Sequence, residues 1–226
     1  MRNMLLVSVL VLMISGVYAS GDITLKGIYG LGSVLNASVS RNDPSPRLKV
    51  NTEYNLNSGF GLGVEYPVLK FRDNSGEPGN FEVLGGLSYM LNRQVSSYKD
   101  RPKSGTTSLP NQKTELAQND LRIQTTSLYL RPRYMFTLKN MPSIKPYVGG
   151  KLSYNFIKPN GNMQRELKLD NSIGYGLSLG SIISKDWDME LAWERIGAKA
   201  KDDRMSDTMN GTYNMSNIYL SVGYRI

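Results

Sequence analysis

The chain has 226 residues, no Cys, no His and a formal net charge of +8. Without Cys there is no disulfide framework and no lipoprotein anchor, and without His as well a zinc site is not expected. The mean hydropathy of −0.34 is too polar for a helical membrane protein, but not for a barrel that confines its apolar band to every second residue.

Met1-Arg2-Asn3 opens the chain and the apolar run Leu5 to Ile14 follows. Gly16-Val17-Tyr18-Ala19 then places small residues where a signal peptidase reads them. A basic start, a short apolar run and an A-x-A-like site predict a secretory signal over residues 1–19, cleaved after Ala19. The run is shorter than the ~20 apolar residues that a spanning helix needs. Loss of the signal removes Arg2 and no acid, leaving a charge of about +7. The basic residues are scattered among acids with no aromatic-interleaved stripe, so nucleic-acid binding is not expected. Phosphates of outer-leaflet lipopolysaccharide are a candidate partner for them, alongside the plain reading of solvated loop charge.

From residue 20 onward the chain reads as strands, because side chains alternate faces with a period of two. The first strand spans about Asp22 to Gly32, with Ile23, Leu25, Tyr29 and Leu31 outward and Thr24, Lys26 and Gly30 inward. A polar stretch with Asn42-Asp43-Pro44-Ser45-Pro46 reads as a loop. Two alternating runs follow, Leu48 to Leu56 and Phe60 to Val68, separated by Asn57-Ser58-Gly59. A hairpin there would make nine strands, whereas single-chain bacterial barrels use an even number. Gly59 to Leu69 is therefore taken as the membrane part of the second strand, and the preceding run as an extension above it; a ten-stranded barrel is the alternative.

Lys70 to Asn80 reads as a turn, and Phe81 to about Asn92 as the third strand, continuing as far as Ser97. Tyr98 to Asp120 is the longest predicted loop. The fourth strand is Leu121 to Phe136, and Pro132 inside it predicts a bulge. Thr137 to Lys145 is a turn, Pro146 to Phe156 the fifth strand and Ile157 to Asp170 a loop. The sixth strand, Asn171 to Ile183, puts Ile173, Tyr175, Leu177 and Leu179 outward and Gly174, Gly176, Ser178 and Gly180 inward. Ser184-Lys185-Asp186-Trp187 turns tightly into the seventh strand, Asp188 to Ile196, with Met189, Leu191 and Trp193 outward. Gly197 to Tyr213 is a charged loop, and Ser216 to Ile226 alternates without a break as the closing strand.

Long and short connections alternate, as in a barrel with short periplasmic turns and long outer loops. Phe71, Phe81, Tyr134, Phe136, Trp187 and Tyr224 fall near the periplasmic ends, and Tyr89, Tyr154, Phe156 and Trp193 near the outer ends. These are the two expected aromatic girdles. The fold class is all-β: a transmembrane up-and-down antiparallel barrel, residues 20–226, with eight strands. A soluble lipocalin-like barrel fits less well, since the outward face is apolar and no Gly-x-Trp opening is present.

The segments GFGLGVEYPVLKF (Gly59 to Phe71), KPYVGGKLSYNF (Lys145 to Phe156), IGYGLSLGSIISKDWDMELAWERI (Ile173 to Ile196) and IYLSVGYRI (Ile218 to Ile226) carry a resemblance that covers nearly the whole mature chain. In that order they resemble the small outer-membrane β-barrel superfamily, with OmpA-type and OmpX-type members. The resemblance implies an eight-stranded barrel in the outer membrane of a Gram-negative-type cell, inserted by the outer-membrane assembly machinery and standing as a monomer. Members usually end on an aromatic residue; here Ile226 is last, with Tyr224 two residues earlier. No peptidoglycan-binding domain is expected after the barrel.

Enzymatic function is not expected. Barrel acyltransferases, deacylases, phospholipases and omptin-like proteases rely on His as the base, and none is present. A Ser-Lys dyad has no supporting spacing, Asp202-Asp203 reads as solvated charge rather than a Ca²⁺ site, and no cofactor or metal is expected. The inward phase instead assigns Lys26, Glu65, Glu82, Arg131, Arg133, Lys151, Glu190, Glu194 and Arg225 to the lumen. Charges withdrawn from water must pair, or each costs several kcal/mol, so these residues are expected to form a network. The interior of eight strands is just wide enough for side chains, which favours a polar plug over a narrow pore with Glu65, Glu82, Arg131 and Arg133 at its constriction. The expected role is structural or surface-interacting, with a small porin as the alternative.

Overall fold

The structure is a computed structural model that describes residues 23–41, 49–72, 78–102, 122–138, 140–160, 168–201 and 209–226. The signal segment and the Asp202-Asp203 pair lie outside them, as do the Asn42-to-Pro46 loop and most of the Tyr98-to-Asp120 loop.

Among the described residues ten strands are formed: β1 (Thr24–Arg41), β2 (Lys49–Leu56), β3 (Gly59–Arg72), β4 (Pro78–Pro102), β5 (Arg122–Met135), β6 (Ile144–Asn160), β7 (Lys168–Leu169), β8 (Ser172–Ile183), β9 (Trp187–Lys201) and β10 (Met209–Arg225). They build eight walls. Both β2 and β3 pair β1 on one side and β4 on the other, so they are one wall interrupted at Asn57-Ser58 and not a hairpin. Likewise β7 and β8 both pair β9. All pairings are antiparallel, and β10 closes the ring on β1 from Thr24↔Arg225 to Arg41↔Met209. Closure removes the free sheet edge that a bilayer would not tolerate.

The outward face is apolar because lipid selects it. Leu62 is 70% exposed and Ile173 and Leu177 are each 66% exposed, which only a non-aqueous surrounding makes favourable for side chains of this size. Aromatic rings meet at two levels. Phe71 packs on Phe81, Tyr134 on Phe136 and Trp187 on Tyr224 toward the periplasmic end. Tyr29 packs on Phe60, Tyr154 on Phe156 and Tyr175 on Trp193 toward the outer end. Ser184 and Lys185 take φ of 52° and 71° in the three-residue turn between β8 and β9, left-handed conformations that let the chain reverse tightly.

Several strands outrun the sequence expectation. Residues 33–41, 98–102, 157–160, 197–201 and 209–213 read as loop but belong to β1, β4, β6, β9 and β10. Above the bilayer the outward side chains need not be apolar, so the outward apolar stripe stops although the backbone ladder continues. The bulge expected at Pro132 is absent. The β5–β6 ladder skips Arg131 and Pro132 and resumes in the same register, Leu130↔Leu152 and Arg133↔Gly149. Register shifts fall instead at Gly30/Gly32, Asn55/Leu56, Pro67/Leu69, Lys70/Arg72 and Met90/Arg93.

Candidate functional site

The barrel interior is layered. Nearest the periplasm, Arg133 of β5 binds Glu82 of β4 through Nε and reaches Asp188 of β9 at 2.7 Å through Nη1. One layer up, Arg131 Nη2 lies 2.6 Å from Glu65 Oε2 and 3.4 Å from Asp188, and Nη1 contacts Glu190. Lys26 Nζ sits 3.1 Å from Glu65 and 3.5 Å from Glu190; the approach is ionic, without directed hydrogen-bond geometry. Further out, Lys151 Nζ meets Glu194 at 3.1 Å, and Ser153 Oγ donates to the same carboxylate at 2.6 Å.

Tyrosines stitch the layers together. Tyr147 donates to Asp188 at 2.5 Å, and its ring faces the guanidinium carbons of Arg133 and Arg131 at 4.9 and 5.4 Å. Tyr129 donates to Glu65 at 2.8 Å and lies under Lys151 Nζ at 4.5 Å. Inward glycines make room for both rings. A Cβ on Gly86 would enter the Tyr129 ring, and one on Gly180 would strike Tyr147 and the Met189 carbonyl.

Eight of the nine residues that the inward phase assigns to the lumen therefore lie together, joined through these contacts. Arg225 does not join them. It is half-buried at the periplasmic rim, in a vestibule of about 750 Å³ shared with Lys70, Glu82, Lys145, Asp186 and Ile226.

Sequence reasoning missed Asp188, which bridges Arg133, Arg131 and Tyr147. Its signal was available, since it shares parity with Glu190 and Glu194. It also missed Arg93, and here plain alternation misleads. Counting from Glu82 puts position 93 outward, but the Met90/Arg93 bulge reverses the phase and leaves Arg93 only 1% exposed. Its guanidinium is held by neutral partners: Ser33, the Asn217 Oδ1 at 3.1 Å and the Met215 sulfur at 3.5 Å. The Gly30/Gly32 bulge acts in the same way on β1 and turns Ser33 and Leu35 inward.

Beyond Arg93 the interior changes character. Leu35, Leu56, Ile123, Ile196 and Met215 form a buried apolar cluster, with Tyr54, Ile157 and Tyr213 against it. The polar layers below are nearly filled; a cavity of about 40 Å³ remains beside Lys26, Glu65, Tyr129, Lys151, Glu190 and Tyr219. That volume holds about three waters at 10–15 Å³ each. Among the described residues no cluster of His, Cys, Asp or Glu is arranged to hold a metal.

Residues 7–225 match the family model of the outer membrane protein β-barrel domain. The chain belongs to that family. It is accordingly an outer-membrane barrel of a Gram-negative-type envelope. No curated protein matches the sequence. Among solved structures it is similar to OprG of Pseudomonas aeruginosa, at 14% identity over 91% of this chain and 96% of that one, with a TM-score of 0.49. It is also similar to Ail, the attachment invasion locus protein of Yersinia pestis, at 15% identity over 91% and 99% with a TM-score of 0.36. A third is the outer membrane enzyme PagL, at 10% identity over 84% and 97% with a TM-score of 0.41.

Proposed function

We propose that this chain is a closed, non-conducting barrel whose role lies in its extracellular face. The filling of the interior carries this reading. Ionic layers joined from Glu82 to Glu194 are capped by the apolar cluster around Ile123 and Ile196. An ion crossing it would have to part buried pairs and then pass an apolar constriction, each costing several kcal/mol. The outer end supports the second half of the reading: β1, β2, β4, β9 and β10 continue beyond the lipid-facing band as a ladder. Rigid walls of this kind are suited to presenting variable loops to a surface partner.

In this reading the chain is exported by its N-terminal signal, cleaved after Ala19, inserted by the barrel-assembly machinery and stands as a monomer without catalytic function. The signal is supported by the residue pattern of positions 1–19, and the lack of catalysis by the missing His. Single-channel recording of the refolded mature protein in a planar bilayer tests the closed state. A silent membrane containing folded barrel is the expected result. Discrete steps that change when Glu82 or Arg131 is neutralised would establish the small-porin alternative instead.

A further inference from the structure

Among the described side chains, those just above the aromatic band differ in charge between strands. On β5, β6 and β9 it carries four exposed cations, Arg122, Lys158, Arg195 and Lys199, against one exposed acid nearby, Asp170. On β10, β1, β2 and β4 the exposed described side chains at this height are neutral: Thr212 and Asn214, Asn36, Asn57, and Asn92, Gln94 and Ser96.

Two of the cations adjoin aromatic positions of the girdle. Arg195 is the ladder partner of Tyr175, whose ring packs on Trp193 at 6.0 Å. Lys158 lies two residues outward of Phe156, which packs on Tyr154 at 5.2 Å. The span from Trp187 to Lys199 climbs roughly 30 Å, at ~3.3 Å per residue and ~40° tilt. That exceeds an apolar band of about 25 Å, so Lys199 stands at headgroup height. Arg195, roughly 20 Å up on the same geometry, reaches that height by extending its long side chain. Aromatic rings of this kind lie at the membrane interface, and a guanidinium with ammonium groups above them is phosphate-binding chemistry.

We propose that the outward face of β6, β8 and β9 binds a diphosphorylated glycolipid of the outer leaflet. Its acyl chains lie along Ile173, Tyr175 and Trp193, and its phosphates rest on Arg195, Lys199 and Lys158. The proposal rests on the reading of the chain as a membrane barrel and adds to it a specific lipid and a side. The favoured ligand is a lipid rather than a soluble anionic glycan because the cations adjoin the lipid-facing band instead of the loop tips.

The test uses the only two tryptophans of the chain. In a Trp187→Phe background Trp193 is the sole reporter beside the site. The refolded protein in neutral detergent is titrated with diphosphorylated lipid A, with fully dephosphorylated lipid A and with heparin. Saturable change in Trp193 emission is expected with the diphosphorylated lipid alone. K158Q and K199Q should each raise the half-saturation concentration about fivefold, and K158Q/R195Q/K199Q on the order of a hundredfold, as the attraction of each interfacial cation implies. Coincident curves for wild type and variants, or equal binding of the dephosphorylated lipid, would overturn the proposal; so would tighter binding of heparin. Heat-modifiable gel mobility reports folding of every variant, and the single-lysine changes at exposed positions provide the comparison if the triple variant misfolds. A conducting wild-type barrel would overturn the closed-barrel reading while leaving this titration to stand.

Discussion

Arg131→Met removes the cation at the centre of the lumen. Arg131 is 1% exposed, and its guanidinium faces three carboxylates, Glu65, Asp188 and Glu190. Removing one partner of a buried ion pair costs roughly 3–5 kcal/mol, because the other charge is left without compensation. Here each carboxylate keeps a second cation: Lys26 stays 3.1 Å from Glu65 and 3.5 Å from Glu190, and Arg133 stays 2.7 Å from Asp188. The lower end of the range, about 3 kcal/mol, is therefore expected. Lys26→Met should cost less, about 1–2 kcal/mol, since Glu65 and Glu190 both retain Arg131, which holds Glu65 at the shorter distance of 2.6 Å. Urea unfolding in lipid vesicles, followed by Trp fluorescence, measures both. With a slope of ~1–3 kcal/mol per molar, R131M should lower the midpoint by roughly 1–3 M. A double variant R131M/E65Q should lose less than the sum of its parts, because it removes one charge of each sign. Midpoints within ~0.2 M of wild type for R131M would refute the network as a stabilising element. So would a larger loss for K26M than for R131M.

Other outcomes follow from the walls. Leu177→Arg places a charge on a lipid-facing position that is 66% exposed; it should cost ~2–4 kcal/mol if near the midplane, read as a lower yield of heat-modifiable barrel in membranes. Gly180→Ala drives a methyl into Tyr147 and the Met189 carbonyl, and overpacking of this kind should lower stability by about 1–3 kcal/mol in the same urea assay. Gly27→Ala, where the nearest heavy atom to an added Cβ is the Val222 carbonyl oxygen at 3.9 Å, should shift the midpoint far less than G180A.

Much of the fold was legible because lipid imposes a strict rule on every second residue. Ile173, Tyr175, Leu177 and Leu179 announce both a strand and its outer face, and the structure leaves all four exposed. The even strand number of such barrels similarly marks the two runs separated by Asn57-Ser58-Gly59 as one wall rather than two, as the shared pairing of β2 and β3 with β1 and β4 bears out, although the phase reverses between them, with Leu56 inward and Phe60 outward. The rule weakens where its physical cause ends. Beyond the lipid-facing band the outward face meets water: Leu35-Asn36-Ala37-Ser38-Val39-Ser40 still alternates, but past the Gly30/Gly32 bulge Leu35 is inward and Asn36 outward, so no outward apolar stripe marks the strand although it is paired throughout.

The sequence by itself determined that the chain is a barrel, where its walls cross the membrane and eight of the charges that enter the lumen, because all of these depend on local period. The tertiary structure decided what local period does not contain. Bulges at Gly30/Gly32 and Met90/Arg93 reverse the phase of everything beyond them, bringing Arg93 and Leu35 inside. Register between distant strands then decides which charges touch: Asp188 meets Arg133 and Arg131 while Arg225 is left at the rim. Pairing across a closed sheet is a long-range property set by the sum of all ladders, and no single strand carries it.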